Sequence, residues 1–178
     1  MTRIAPAPAP RARRLLASVV DLGVIGLWIG VLTVAGMIVR PLLPAGPVPT
    51  SLLGTDLVVF AITVLPVWVY LTVGEAGAGQ AAWGKRANGL IVVTADGGRA
   101  GAGPIALRNA VKLLPWQLAH ISIARMVLEV DDPVTTWGTY ALSLVIGLAN
   151  VLLAMRDPAG RALHDRIART QVAAGSAG

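Results

Sequence analysis

The sequence predicts an all-α membrane protein, a four-transmembrane-helix bundle with an amphipathic interfacial helix and a small cytoplasmic β-like element. Three observations predict it. Leu15 to Val39 is a run of 25 residues whose one charge is Asp21, long enough to cross a bilayer. Hydrophobic residues make up 55% of the 178-residue chain against 13% charged, too apolar for a domain that must cover itself with polar side chains. The basic residues fall between the apolar runs, where topology signals belong.

Each element follows in order. Residues 1–10, with Ala and Pro alternating from Ala5 to Pro10, cannot bury a core and read as a flexible or polyproline tail. Residues 11–173 form the transmembrane domain and 174–178 a disordered C-terminus. Leu15 to Val39 is the first span; Pro41, Pro44, Pro47 and Pro49 then force a turn before a second run, Ser51 to Val73. Gly74 to Gly103 is polar and glycine-rich, with Leu90 to Thr94 strand-like and Asp96-Gly97 a turn dipeptide. From Pro104 to about Leu114, Arg108, Asn109 and Lys112 share one face, so this segment reads as an interfacial helix before a short third span that ends near Val130. Trp137 to Met155 is the fourth span, 19 uncharged residues, followed by a basic tail. Trp83 and Trp137 suit interfacial anchors. No internal repeat is visible in the sequence.

Charge asymmetry orients the bundle. With the N-terminus cytoplasmic, four crossings place 13 of the 15 basic residues inside, leaving Arg40 outside and Arg125 in the membrane. Three crossings would export the four tail arginines. The expected location is therefore the inner (cytoplasmic) membrane of a bacterium, multi-pass, with both termini cytoplasmic.

An intramembrane carboxylate is expensive and marks a functional candidate. Arg14 lies seven residues before Asp21, on nearly the same helix face, but about 10 Å away along the axis. Side chains tilt toward the helix N-terminus, so Arg14 reaches away from Asp21 and each needs another partner. Lys85, Arg86 or Arg166 can serve Asp21, and Asp165 can serve Arg14. Such pairing makes Asp21 half of a structural ion pair; without it, desolvation would make Asp21 a proton or cation site.

Other chemistries fit poorly. A net charge of +6 without a basic stripe interleaved with aromatics gives no reason to expect nucleic acid. No cysteine is present, so disulfides and thiolate metal sites are excluded. The basic N-terminus resembles a signal peptide, but its apolar run is about twice the usual length, and it is expected to remain as a helix. Gly79 to Lys85 has Walker A spacing, yet Arg86 stands where Ser or Thr would bind magnesium, no strand precedes it, and a strand rather than a helix is expected after it. His120 and His164 share no carboxylate cluster and read as structural. No serine has an activating base at helical spacing, so no enzyme activity, cofactor or metal is expected. Gly26 with Gly30, and Ser143 with Gly147, have the small-residue spacing of close helix packing, most simply inside the bundle.

These motifs together resemble the RDD family of bacterial integral membrane proteins, named for one arginine and two aspartates. Arg14 through Asp21 matches the family's first-helix pattern. Gly84-Lys85 leading into Leu90 to Val93 is similar to its Gly-Lys element, and Arg108-Asn109 to its later arginine helix start. Leu163-His164-Asp165-Arg166 with Thr170-Gln171-Val172 resembles the closing His-Asp motif, with Asp165 as the second aspartate and Asp56 as the weaker candidate. The resemblance covers Arg11 to Ala173. Two departures stand out: Ala82-Trp83 replaces Thr-Pro before Gly-Lys, and Ala168-Arg169 replaces Ala-Gly before Thr170.

The resemblance implies transport, including cation/proton exchange, for some members and accessory roles for others. Four spans with few intramembrane charges make a meagre translocation path. The expectation is thus a noncatalytic accessory or assembly subunit of a larger membrane complex, or a homo-oligomer, embedded in the lipid bilayer. The alternative is a small cation/proton exchanger using Asp21, with Asp56 as an outer station.

Overall fold

A computed structural model describes residues 8–42 and 51–175 of the chain. The expected polyproline stretch at 1–7, the turn carrying Pro44, Pro47 and Pro49, and the end of the C-terminus at 176–178 lie outside the described residues.

The protein is mostly helical, and three of its helices are long and apolar enough to cross a membrane: Arg11–Val39, Leu52–Ala76 and Pro133–Arg156. The first is α1, 29 residues. The second is built from α2 (Leu52–Val59) and α3 (Leu65–Ala76), joined by a π-helical turn at Phe60–Val64. Ser51 caps its start by accepting a hydrogen bond from the Gly54 N–H at 3.0 Å. Pro66 explains a contact in the middle of this helix. Proline has no N–H to give the carbonyl four residues back, so the Ile62 oxygen is free to accept from Trp28 Nε1 of α1 at 3.0 Å.

A one-turn helix, α4 (Trp83–Ala87), leads into strand β1 (Leu90–Thr94). Next comes α5, a single 26-residue helix from Ala102 to Val127 that runs through Pro115. This corrects the expected break into an interfacial helix and a separate short span. The charged first half and the apolar second half are one rod of about 39 Å, packed along α6 (Pro133–Arg156). Ser143 of α6 fastens the two where the proline sits, donating to the Pro115 carbonyl at 2.8 Å. Asp132 caps α6 through the Thr135 N–H at 3.0 Å. A second one-turn helix, α7 (Leu163–Ile167), and strand β2 (Thr170–Ala174) complete the chain.

The strands pair antiparallel, with Val92 opposite Val172. Both edges of this ribbon are covered, which prevents open-edge pairing. On one side the Val92 N–H donates to the Gln80 carbonyl at 2.7 Å; on the other the Ala9 N–H donates to the Val172 carbonyl at 3.3 Å. Pro8 and Ala9 are therefore part of the fold, and Ala9 is buried against Ala17, Leu90 and Val172. The boundaries expected at 10 and 173 each shift by a residue or two: Ala174 belongs to β2, and the Gly175 N–H bonds the Gly89 carbonyl.

The structure contains a repeat that the sequence conceals. At a spacing of 80 residues, Trp83–Ala87 corresponds to Leu163–Ile167 and Leu90–Thr94 to Thr170–Ala174. The preceding spans end in step as well, at Ala76 and Arg156. Even the left-handed residues coincide, Gln80 (φ 47°) with Gly160 (φ 68°) and Gly89 (φ 64°) with Arg169 (φ 53°). The ribbon register relates the two units by a local two-fold between Val92 and Val172. The side chains differ in sign at the decisive position: Lys85 in the first unit, Asp165 in the second.

Candidate functional site

The start of α1, the end of α3, the start of α5 and the two one-turn helices converge on a buried cluster of charges. Asp21 lies two turns along α1 from Arg14 and is 3% exposed. Its Oδ1 accepts two hydrogen bonds, from the Gly84 backbone N–H at 2.9 Å and from the Tyr70 hydroxyl at 2.9 Å. The Trp83 N–H donates to the same hydroxyl at 3.2 Å. Helix α4 can come this close only because residue 84 has no side chain. A Cβ there would lie 2.8 Å from Asp21 Oδ1 and overlap the Ala17 carbonyl. Lys85, the next residue, places Nζ 3.7 Å from Asp21 Oδ2 and 2.8 Å from Glu75 Oε1.

Glu75 ends α3 and is fully buried. Its other oxygen accepts from Arg108 Nη1 at 2.7 Å and Asn109 Nδ2 at 3.2 Å. Arg108, 2% exposed, spans the cluster, with Nε donating to Asp165 Oδ1 at 3.0 Å. Asp165 also caps the start of its own helix, accepting from the Ala162 N–H at 3.2 Å, and lies 3.6 Å from Arg14 Nη2. Arg14 turns toward the α6–α7 loop, donating to the Ala159 carbonyl at 2.9 Å.

The charges set the protonation states of α7. Burial alone would raise the Asp165 pKa, but Arg108, with Arg14 beside it, outweighs burial and lowers it to about 2. Burial, reinforced by the Arg108 charge, lowers His164 to about 3, so its imidazole is neutral at pH 7. Its Nδ1 lies 2.8 Å from Asn150 Oδ1. Because the Asn150 amide nitrogen donates to the Ile146 carbonyl, its oxygen is left to accept the imidazole N–H.

Six of the residues selected from the sequence thus meet: Arg14, Asp21, Lys85, Arg108, His164 and Asp165. Three do not. Asp56 sits at the other end of the bundle, held by both terminal nitrogens of Arg125 at 2.9 Å. Arg86 is exposed and donates to the Ala81 carbonyl at 3.3 Å, so it is not a partner of Asp21. Neither is Arg166, which pairs with Asp157 at 2.9 Å. The Walker-like loop is followed directly by helix α4 rather than by a strand, and its Gly84 N–H already binds Asp21. Among the described residues, no group of three His, Cys, Asp or Glu side chains could hold a metal ion.

The sequence reading missed Glu75, although it is the one acid between Asp56 and Asp96 and follows an apolar run by two residues. The packing expectation for the glycines also fails. A Cβ on Gly26, Gly30 or Gly147 would meet nothing within 4 Å, so none of the three sits against a neighbouring helix of the bundle.

The family model described as "RDD family" matches residues 8–169, nearly the whole chain. The chain belongs to the RDD family. No curated protein and no solved structure matches it. In this RDD protein the first-helix arginine and the C-terminal aspartate face each other, Arg14 to Asp165, while Asp21 is engaged by the Gly-Lys helix. The residues that carry the resemblance to the family's motifs, from Arg14 to Asp165, meet in one ion-pair network.

Proposed function

We propose that this protein is a noncatalytic membrane subunit that supports the assembly of a larger membrane complex, with the charge cluster as the clasp that holds its base together. The carrying observation is that Asp21 is occupied by the Gly84 N–H, the Tyr70 hydroxyl and Lys85. A carboxylate held this way suits a fixed joint better than one that loads and unloads ions. The open glycine face of α1 suits close approach by a partner helix.

In this reading the chain crosses the bacterial inner membrane four times with both termini cytoplasmic. Helix α5 is the third crossing: Arg108 and Lys112 stay at the cytoplasmic end, and Arg125 is neutralised by Asp56 near the outer end. The ribbon and the two one-turn helices lie at the cytoplasmic base. Reporters fused after Gly178 and within 44–50 test the topology, and an external C-terminus would overturn it. Purification from native membranes tests the role: a stoichiometric large membrane partner is expected.

One observation favours a second reading, cation/proton exchange. Asp21 Oδ2 has no hydrogen-bond donor and lines a cavity of about 220 Å³ between α1, α3 and α5, which His120 and Lys112 also line. Proton-coupled cation flux in vesicles reconstituted with the chain alone, abolished by Asp21→Asn with assembly intact, would put this reading first.

A further inference from the structure

Behind the cluster, α1, α5, α6 and the α6–α7 loop enclose a cleft of about 570 Å³. Five basic side chains line it, Arg11, Arg14, Lys85, Arg108 and Lys112, and no carboxylate does. The acids that pair with three of these cations, Asp21, Glu75 and Asp165, are not among the residues that line it. Lys112 has no ion-pair partner of its own: the acids whose charge it feels, Glu75 and Asp21, are held by Lys85 and Arg108. Half-buried on α5 one turn beyond Arg108, it makes no hydrogen bond or ion pair among the described residues. At the cluster itself Arg14, Lys85, Arg108 and Lys112 face Asp21, Glu75 and Asp165, so one positive charge is left over. Arg11, whose Nη2 donates to the Met155 carbonyl at 3.1 Å, adds another at the rim.

A surplus cation in so enclosed a place is costly, and the cost is relieved either by loss of its proton or by an anion that joins it and keeps it charged. The walls say what kind of anion fits. Leu15 of α1 and Val151, Ala154 and Met155 of α6 form an apolar flank beside the basic end. Leu15, Val151 and Met155 are also exposed on the outer surface of spans that would face lipid. The cleft lies where these spans end, the level at which head groups meet acyl chains. Basic pockets between membrane helices at this level suit phosphate head groups.

We infer that the cleft is a binding site for an anionic phospholipid, with its phosphodiester on Lys112 and Arg11 and an acyl chain against Leu15, Val151 and Met155. Asn150 and His164, hydrogen-bonded to each other, make the inner wall polar. The inference goes beyond the accessory reading and does not depend on it.

The test uses the full chain in nanodiscs of phosphatidylcholine containing graded phosphatidylglycerol, with lipids retained after detergent extraction counted by intact-complex mass spectrometry. Phosphatidylglycerol should be retained in preference to phosphatidylcholine by roughly tenfold, as a charge-assisted contact provides. Lys112→Gln should remove the preference without lowering the melting temperature, since Lys112 holds no other residue. Val151→Trp, which fills the apolar flank and leaves every charge in place, should also reduce retention. Equal retention of the two lipids, or an unaltered preference in Lys112→Gln, would overturn the site. Displacement of the lipid by inorganic phosphate, with Val151→Trp indistinguishable from wild type, would overturn the lipid assignment in favour of a soluble phosphate.

Discussion

Gly84 and Asp21 meet backbone to carboxylate: the Gly84 N–H donates to Asp21 Oδ1 at 2.9 Å, with no room between α4 and α1 for a single methyl group. The contact fuses two motifs 63 residues apart into one joint. It also explains why a glycine precedes Lys85. The close approach brings the lysine to both Asp21 and Glu75.

Gly84→Ala should therefore be more damaging than its one added carbon suggests. The Cβ would overlap the Ala17 carbonyl, which is helix backbone and cannot swing aside. Overpacking of this kind costs about 1–3 kcal/mol, and here it also loosens the hydrogen bond to Asp21. Thermal unfolding in detergent should show the loss. Gly103→Ala, where a Cβ meets nothing within 4 Å, is the control and should be neutral or stabilising.

Asp21→Asn should destabilise moderately, by about 1–3 kcal/mol. The amide oxygen can still accept from Gly84 and Tyr70, but Lys85 loses one of its two carboxylates and keeps Glu75 at 2.8 Å. Removing the surplus cation with Lys85→Met should restore part of the loss. Arg166→Met should restore none, because Arg166 pairs with Asp157. A double mutant with Arg166→Met that recovers stability would contradict this network.

Much of the site was legible in the sequence because charges in apolar runs are costly and need partners. The need for partners leads from Arg14 to Asp165, and from Asp21 to a choice of Lys85, Arg86 or Arg166, of which the fold brings Lys85 to it. Leu90 to Thr94 reads as a strand from its β-branched run, and, since so short a strand is not stable alone, it needs the partner that the fold supplies in Thr170–Ala174. What stayed hidden has physical causes. Arg108 reaches both Glu75 and Asp165 from the first half of α5, and α5 then runs unbroken through Pro115, although a proline after a charged half-helix reads as a boundary. Nothing local in the sequence links Asp56 to Arg125, since 69 residues separate them. The 80-residue repeat leaves its mark in backbone conformation, while its side chains have diverged as far as Lys85 and Asp165.

The ribbon register gives a covalent test. The Val92 N–H and Val172 carbonyl both point outward, to Gln80 and Ala9, so the two residues form a close, non-hydrogen-bonded pair. Cα atoms of such pairs lie about 4.5 Å apart, within disulfide reach. Val92→Cys with Val172→Cys should cross-link on mild oxidation of this cysteine-free chain. Ile91→Cys with Val172→Cys should not, because adjacent strand residues point to opposite faces.

Arg169 has φ 53°, at the place where Gly89 has φ 64° in the first unit. The left-handed conformation strains a residue with a Cβ and leaves glycine unstrained. The departure from Ala-Gly seen in the sequence therefore falls on the one residue of the α7–β2 turn that favours glycine. Arg169→Gly should stabilise the fold by roughly 0.5–1 kcal/mol, after allowing for the greater unfolded-state freedom of glycine. Arg169→Ala should gain nothing, since it keeps the Cβ. An equal gain from alanine would trace the effect to the removed charge instead.

Acid should weaken the base of the bundle in two stages. His164 is lowered from 6.5 to about 3 by burial and by Arg108. Between those values the unfolded chain holds a proton that the folded chain lacks, so stability falls as pH falls through the window, with a slope of up to about 1.4 kcal/mol per pH unit. Asp165 is lowered from 3.8 to about 2, so its contribution is complete above its ordinary value and is lost only as pH falls below it. Melting temperatures measured from pH 7.5 to about 2.5 should thus decline below about 6.5 in the wild type through His164. His164→Gln, which cannot titrate but can still donate to Asn150, should flatten that decline while leaving any loss below pH 4 in place. An unchanged slope in His164→Gln would mean that another group carries the acid sensitivity and that His164 is not held neutral in the folded protein.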